Sequence, residues 1–338
     1  MHRRTPFICL LLLGVALVLA ACAGPAGEPG APGATGPAGP QGPQGDPGPP
    51  GEMAELTCLE CHNDTNVIAG KAAAFAETLH ATGHATAYAG ARTRCSGCHS
   101  GGGFTDAIAA GVTPGDEQES ADPNPSRPDC RACHQIHTSY TAADWALTTT
   151  DPVALFAFED TTFDGGMGNL CSNCHQPRRQ IAEAVDGQIE ITSTHWGPHH
   201  GPQSAVLLGL GGAGDVEGSA SAHYSMVEDT CVSCHLGEGD VHTFEPDESA
   251  CTGCHTDLED FDLNGVQTEV EELAAELGEK LEAAGLIHEG HPNPGTYPAA
   301  QAQAAWNWIL IVLEDSSSGV HNPAYIKALL EESLAAFD

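Results

Sequence analysis

Basic residues are nearly missing from this chain: 11 lysines and arginines face 46 aspartates and glutamates, a formal charge of −35. So little positive charge argues against nucleic acid or an anionic lipid surface as a partner. The same imbalance attracts cations and basic proteins. Aromatic side chains are scarce as well, at 5% of residues. That is thin for a conventional core in a chain of this length, so another apolar body is expected inside. Methionine is rare; beyond the initiator only Met53, Met167 and Met226 remain. Downstream of residue 21 no apolar run approaches the length needed to span a membrane as a helix.

What the first residues do contain is an address. His2, Arg3 and Arg4 precede the apolar run Phe7–Ala20, and small residues follow. This is the pattern of an export signal. Leu19-Ala20-Ala21-Cys22 resembles a bacterial lipobox, which makes Cys22 the expected lipidation site and new N-terminus. Ten uninterrupted Gly-X-Y triplets then run from Gly24 to Met53. Glycine at every third position with abundant proline is the collagen pattern, because only glycine fits the axis of three packed chains. The stretch reads either as a trimerising segment or as a single polyproline-II-like spacer; both are extended, at about 3.1 Å per residue.

Cysteine is the informative residue. Apart from Cys9 in the signal and Cys22, the remaining twelve form six C-x-x-C-H motifs with none left over. They are Cys58/Cys61-His62, Cys95/Cys98-His99, Cys130/Cys133-His134, Cys171/Cys174-His175, Cys231/Cys234-His235 and Cys251/Cys254-His255. Two thiols at this spacing form thioethers with the two vinyl groups of one haem, and the next histidine supplies the proximal nitrogen to iron. Zinc sites, disulfides and thioredoxin-like pairs give no reason for a histidine after every pair. Six covalently bound haems c are therefore expected, and the porphyrins are the missing apolar bodies.

Each iron has a sixth position. Histidine there gives a closed, low-potential carrier, whereas methionine raises the potential. Outside the motifs lie His80, His84, His137, His195, His199, His200, His223, His242, His288, His291 and His321. They outnumber the six positions, so bis-histidine ligation throughout is possible by count. The expected distal ligands are His84, His137, His199, His223, His242 and His321. His84 is placed on a helix expected over Lys71–Ala89, with His80 as its i−4 neighbour and Ala72, Phe75 and Leu79 sharing a face. His137 in "CHQIH" sits beside its own haem and within reach of another. The 20 residues between Cys231 and Cys251 force the fifth and sixth haems close together.

The expected fold is mainly α with extensive coil, wrapped around six haems. Residues 1–21 are the signal, 22–53 the stalk, 54–262 the haem-binding region and 263–338 a C-terminal helical region packing on it. Helices are expected over Val266–Gly285, Ala299–Glu314 and Pro323–Phe337, each with an apolar stripe. Asn322 can cap the last of these and Pro323 can open it.

The six motifs, "HHGPQ", "HTFEPDESACTGCH" and "WNWILIVLEDSSSGVHNPAYIKALLE" resemble the multihaem cytochromes c related to cytochrome c nitrite reductase and the octahaem oxidoreductases. That group includes electron-transfer members and filament-forming surface cytochromes. The resemblance spans roughly residues 57–337. It implies C-terminal helices packed along the haem chain and His321 as a haem ligand. Pentahaem nitrite reductases carry lysine in the attachment motif of the catalytic haem, whereas all six motifs here end in histidine. The reading is therefore an exported, lipid-anchored, outer-membrane or surface electron carrier rather than a nitrite reductase-like enzyme. Its expected partners are redox proteins and extracellular acceptors, with a homotrimer or filament as possible assemblies. The alternatives are reduction of a small nitrogen or sulfur oxyanion (nitrite, hydroxylamine, tetrathionate) at one open haem, and a filament subunit.

Overall fold

The computed structural model describes residue 62 and residues 67–237, 241–256, 258 and 260–338, all within the compact unit Glu52–Asp338. The export signal, Cys22, the Gly-X-Y triplets, and Cys58 and Cys61 of the first motif lie outside the described residues.

From Val67 to His255 the chain is short helices joined by coil, with one small antiparallel pair, Val153–Ala154 against Thr162–Phe163. Protein-only apolar clusters are small here. One groups Phe104, Ala132 and Leu170 and the other Leu155, Phe163, Ala205 and Leu207. Meanwhile Leu79, Tyr88, Tyr140, Trp145, Met167 and Met226 are not covered by protein. Uncovered large apolar side chains in such number mark a binding surface for another apolar body.

The expected Lys71–Ala89 helix is instead three pieces: Val67–Ala76, Leu79–Thr82 and Ala85–Ala89. Thr78 interrupts the first by accepting the Ala81 N–H on its own hydroxyl, which starts a new helical turn. Gly83 ends that turn in an extended conformation. Leu79 is consequently 84% exposed and does not share a buried face with Phe75.

The C-terminal part holds a conventional core. Val266–Ala283 buries Val270, Ala274, Leu277 and Leu281, the i, i+4, i+7, i+11 stripe of an amphipathic helix. Pro323–Ala335 starts as its sequence dictates, with Pro323 in the first turn and Asn322 accepting the Tyr325 N–H. Between them, Ala299–Trp308 is α-helical, and Ile309–Asp315 then widens into a π-helix. The wider turn rotates the face: Leu313, which would share the buried face of Trp306, Ile309 and Leu310 on a continuous α-helix, is exposed, and Asp315 is buried.

This core draws on both sides of residue 262. Gln188–Ile191 pairs antiparallel with Gly295–Pro298 and turns Ile189 and Ile191 inward with period two. Side chains from the C-terminal helices also bind the backbone of the 206–219 loop. Trp306 Nε1 donates to the Gly211 carbonyl, and Asn322 Nδ2 donates to those of Val206 and Ser219. Asn307 both accepts from the Ala213 N–H and donates to its carbonyl. Gly212 has to be glycine, because a Cβ there would lie 2.5 Å from a Leu329 methyl.

Candidate functional site

The motifs take a helical turn. In motifs two, three, four and six the histidine N–H donates to the carbonyl of the first cysteine, at 2.8–2.9 Å. Cysteines at i and i+3 and histidine at i+4 of one turn face the same side. That is the geometry needed for two sulfurs at the rim of a ring and one imidazole beneath it. None of the ten described motif cysteines is paired in a disulfide. No group of three or more His, Cys, Asp or Glu side chains converges as a bare metal ion would require, among the described residues.

The histidines settle into a simple pattern. Each motif histidine faces one histidine from outside the motifs, and no histidine faces two motif histidines; His199 also lies 5.4 Å from His200 between ring centres. The pairs are His62–His137 at 6.2 Å between ring centres, His99–His199 at 6.0 Å, and His134–His242 at 6.1 Å. His175–His80 follows at 6.0 Å, His235–His321 at 6.4 Å, and His255–His223 at 6.2 Å. Two imidazoles bonded by one nitrogen each to the same first-row metal, at about 2.0–2.1 Å per bond, have ring centres about 6.3 Å apart. Interplanar angles vary from 27° to 88°, as they can when each ring is free to rotate about a shared axis.

Second partners set which nitrogen is available. The Nδ1 atoms of His134, His235 and His223 sit 2.7–2.8 Å from the carbonyls of Trp145, Phe244 and Val320. A carbonyl only accepts, so Nδ1 holds the proton and Nε2 keeps the lone pair that binds metal. His175 Nδ1 meets Gln203 Oε1 at 3.2 Å, and Gln203 Nε2 donates to the Glu314 carbonyl. His321 Nδ1 meets the Asp315 carboxylate at 2.8 Å. Burial, reinforced by His175, lowers His80 to about 4; burial with His200 and His99 nearby does the same for His199. Both imidazoles are thus neutral, the form that ligates metal.

Of the expected distal set, His137, His199, His223, His242 and His321 each face a motif histidine. His84 does not: it is the N-cap of the Ala85–Ala89 helix, and His80 stands opposite His175. The break at Thr78 and Gly83 is the reason, since it puts His80 and His84 on different elements. His137 and His199 have left-handed backbones, with φ of 61° and 78°. Gly197 beside His199 packs so close to Ile309 that a Cβ would lie 2.8 Å from its methyl. His200 is not one of the facing pairs; its Nδ1 is 2.7 Å from Glu314, whose hydrogen bond raises its pKa. The supporting roles of Trp145, Gln203, Phe244 and Asp315 carried no sequence signal.

The motifs also touch one another. Cys98 Sγ lies 3.7 Å from the Asn173 carbonyl inside motif four, and Cys231 Sγ lies 3.9 Å from the Gly168 carbonyl just before it, so motif four lies between motifs two and five. Cys133 and Cys174 pack on the same Phe104–Ala132–Leu170 cluster, which brings motif three alongside motif four. His137, three residues beyond His134, connects motif three to motif one. His223, which faces His255, is held by the Val320 carbonyl, and the next residue, His321, faces His235, placing motif six beside motif five. The Phe244 ring lies 5.1 Å from that of His80 and 6.1 Å from that of His242, while its carbonyl holds His235. One residue therefore joins the ligand pairs of motifs three, four and five.

The described residues fit haem c at five motifs, each offering paired sulfurs and two imidazoles at the separation a single iron requires, and His62 and His137 stand at the same separation. No helix among the described residues is long and apolar enough to cross a membrane. No family model matches the chain, and no curated protein matches it. Among solved structures, the crystal structure of the outer cell wall cytochrome OcwA is similar, with a TM-score of 0.48 and 22% identity. The similarity covers 80% of this chain and 48% of that one, so the chain spans about half the length of the structure it matches.

Proposed function

We propose that this protein is an exported hexahaem c-type cytochrome that carries electrons. The observation behind the reading is the one-to-one pairing of six motif histidines with six others at 6.0–6.4 Å. A haem iron so ligated takes up and returns one electron without making or breaking a bond. His80, His137, His199, His223, His242 and His321 fill the positions where a substrate would otherwise bind. Carbonyl and carboxylate partners at Nδ1 hold five of these twelve rings in the ligating tautomer and fix their orientation.

The contacts between motifs make the conduit branched. Motif four is the junction: motif two is on one arm, motifs three and one on a second, motifs five and six on a third. The N-terminal residues support export, a lipid anchor at Cys22 and a Gly-X-Y spacer holding the cytochrome away from its membrane. The excess of acidic residues favours basic redox proteins or cationic acceptors.

The test is the full-length protein matured with haem. Mass and pyridine haemochrome should give six haems per chain, and the electron paramagnetic resonance spectrum should hold low-spin signals only. A high-spin haem together with turnover of nitrite, hydroxylamine or tetrathionate by the dye-reduced protein would overturn the carrier reading in favour of an enzyme.

A further inference from the structure

The ligand pairs are not electrostatically alike. Five described ligand histidines have a hydrogen-bond acceptor at Nδ1. For His134, His175, His223 and His235 that acceptor is a neutral carbonyl or amide oxygen. For His321 it is the carboxylate of Asp315, whose side chain is 1% exposed. Asp315 is brought there by the π-helix, which turns residue 315 inward at the point where an α-helix would present a different face. Ser317 Oγ donates to its second oxygen, and Gln203 donates to its backbone carbonyl. The carboxylate is thus fixed, desolvated and aimed at one ligand.

We infer that Asp315 is a positioning residue that makes the haem held by His235 and His321 more reducing than its two neighbours, the haem held by His175 and His80 and the haem held by His255 and His223. This rests on the hexahaem reading above. The physical reason has two parts. A buried anion close to an iron favours the oxidised form, which carries one more positive charge, and low dielectric enlarges the effect. A carboxylate accepting the Nδ1 proton also makes the imidazole a stronger donor to the metal than a carbonyl does. Both lower the reduction potential. Because motif five sits between motifs four and six, a step of lower potential than either neighbour then falls inside one arm of the conduit and not at its tip. An electron entering from motif six has to climb to that site before it descends to the junction.

The experiment is a potentiometric titration of the full haem-loaded protein and of Asp315→Asn, followed optically and by magnetic resonance. Asparagine keeps an acceptor oxygen in place and removes the charge. The step of the haem ligated by His235, assigned by nuclear magnetic resonance of the haem methyls, is expected to move positive by at least 59 mV, a tenfold change in a one-electron equilibrium. The other five steps should stay put. Asp315→Glu, which keeps the charge, should remain near the wild type. An unchanged step for that haem in Asp315→Asn with all six haems present and low-spin overturns the inference and leaves the carrier reading standing. If Asp315→Asn does not accumulate as a six-haem protein, the wild type decides alone. Nuclear magnetic resonance of the haem methyls must then place the step of the haem ligated by His235 below those of the haems ligated by His175 and His255, and any other order overturns the inference. Fewer than six haems in the wild type, or a high-spin signal, instead defeats the underlying reading.

Discussion

A histidine ligates iron through one nitrogen and is oriented through the other, so its second partner matters as much as its place in the sequence. His80 and His84 show this. Both lie four residues apart in a stretch rich in helix formers, and only the interruption at Thr78 and Gly83 separates them. Replacing His80 with alanine is expected to convert one low-spin haem to high-spin, read by magnetic resonance and by binding of carbon monoxide or imidazole. Replacing His84 with alanine should leave all signals low-spin. The six C-x-x-C-H motifs are legible because haem chemistry dictates such a spacing. Five of the six histidines that face a motif histidine were also singled out, since few other histidines exist to choose from. That His80 and not His84 faces His175 was not legible, because it depends on Gly83 ending the turn that carries His80. Nor were the left-handed backbones of His137 and His199, which cost a non-glycine residue about 1–2 kcal/mol each and persist only where tertiary contacts enforce them.

At the scale of elements, apolar periodicity identified the three C-terminal helices, and in two of them it also located the buried face. It failed at Ile309–Asp315. Seven residues of π-helix have no apolar signature distinct from an α-helix, yet they expose Leu313 and bury Asp315. The segment gathers several ligand supports: Glu314 meets His200, Asp315 meets His321, and both carbonyls accept from the Gln203 that holds His175. Anchoring of this segment therefore bears on the haem region directly. Asn307, 1% exposed, satisfies both backbone groups of Ala213 and donates to Ser333. Asn307→Leu keeps the volume but orphans a buried N–H and a buried carbonyl, at a cost of about 3 kcal/mol. Thermal or denaturant unfolding should show that loss, with the haem count unchanged. A cost below about 0.5 kcal/mol would mean that water replaces the amide there.

For the whole molecule, the protein divides its interior between two kinds of apolar mass. The C-terminal part packs side chains on side chains, whereas the motif-bearing part leaves large side chains such as Trp145 and Met226 uncovered by protein. Composition made that division readable in outline, because 5% aromatics cannot fill both halves. It could not give the order of the motifs in space, which is set by contacts such as Cys98 with the Asn173 carbonyl across the coil. A branched order makes a kinetic prediction that a linear one does not. Replacing Cys251 and Cys254 with alanine removes the outermost site of one arm. Rapid reduction of that variant by a small dye or a basic redox protein should lose one haem's amplitude and keep the wild-type rate for the rest. Replacing Cys171 and Cys174 instead removes the junction and separates three arms. Reduction by a partner that docks at one arm should then split into a fast phase for that arm and slow phases for the others, while a small dye that reaches every arm still reduces all five remaining haems quickly. A single fast phase with the docking partner would show that electrons bypass motif four. Raising the salt should slow the basic partner and not an uncharged dye, since attraction to a surface of this charge is screened beyond about 10 Å at 0.1 M ionic strength.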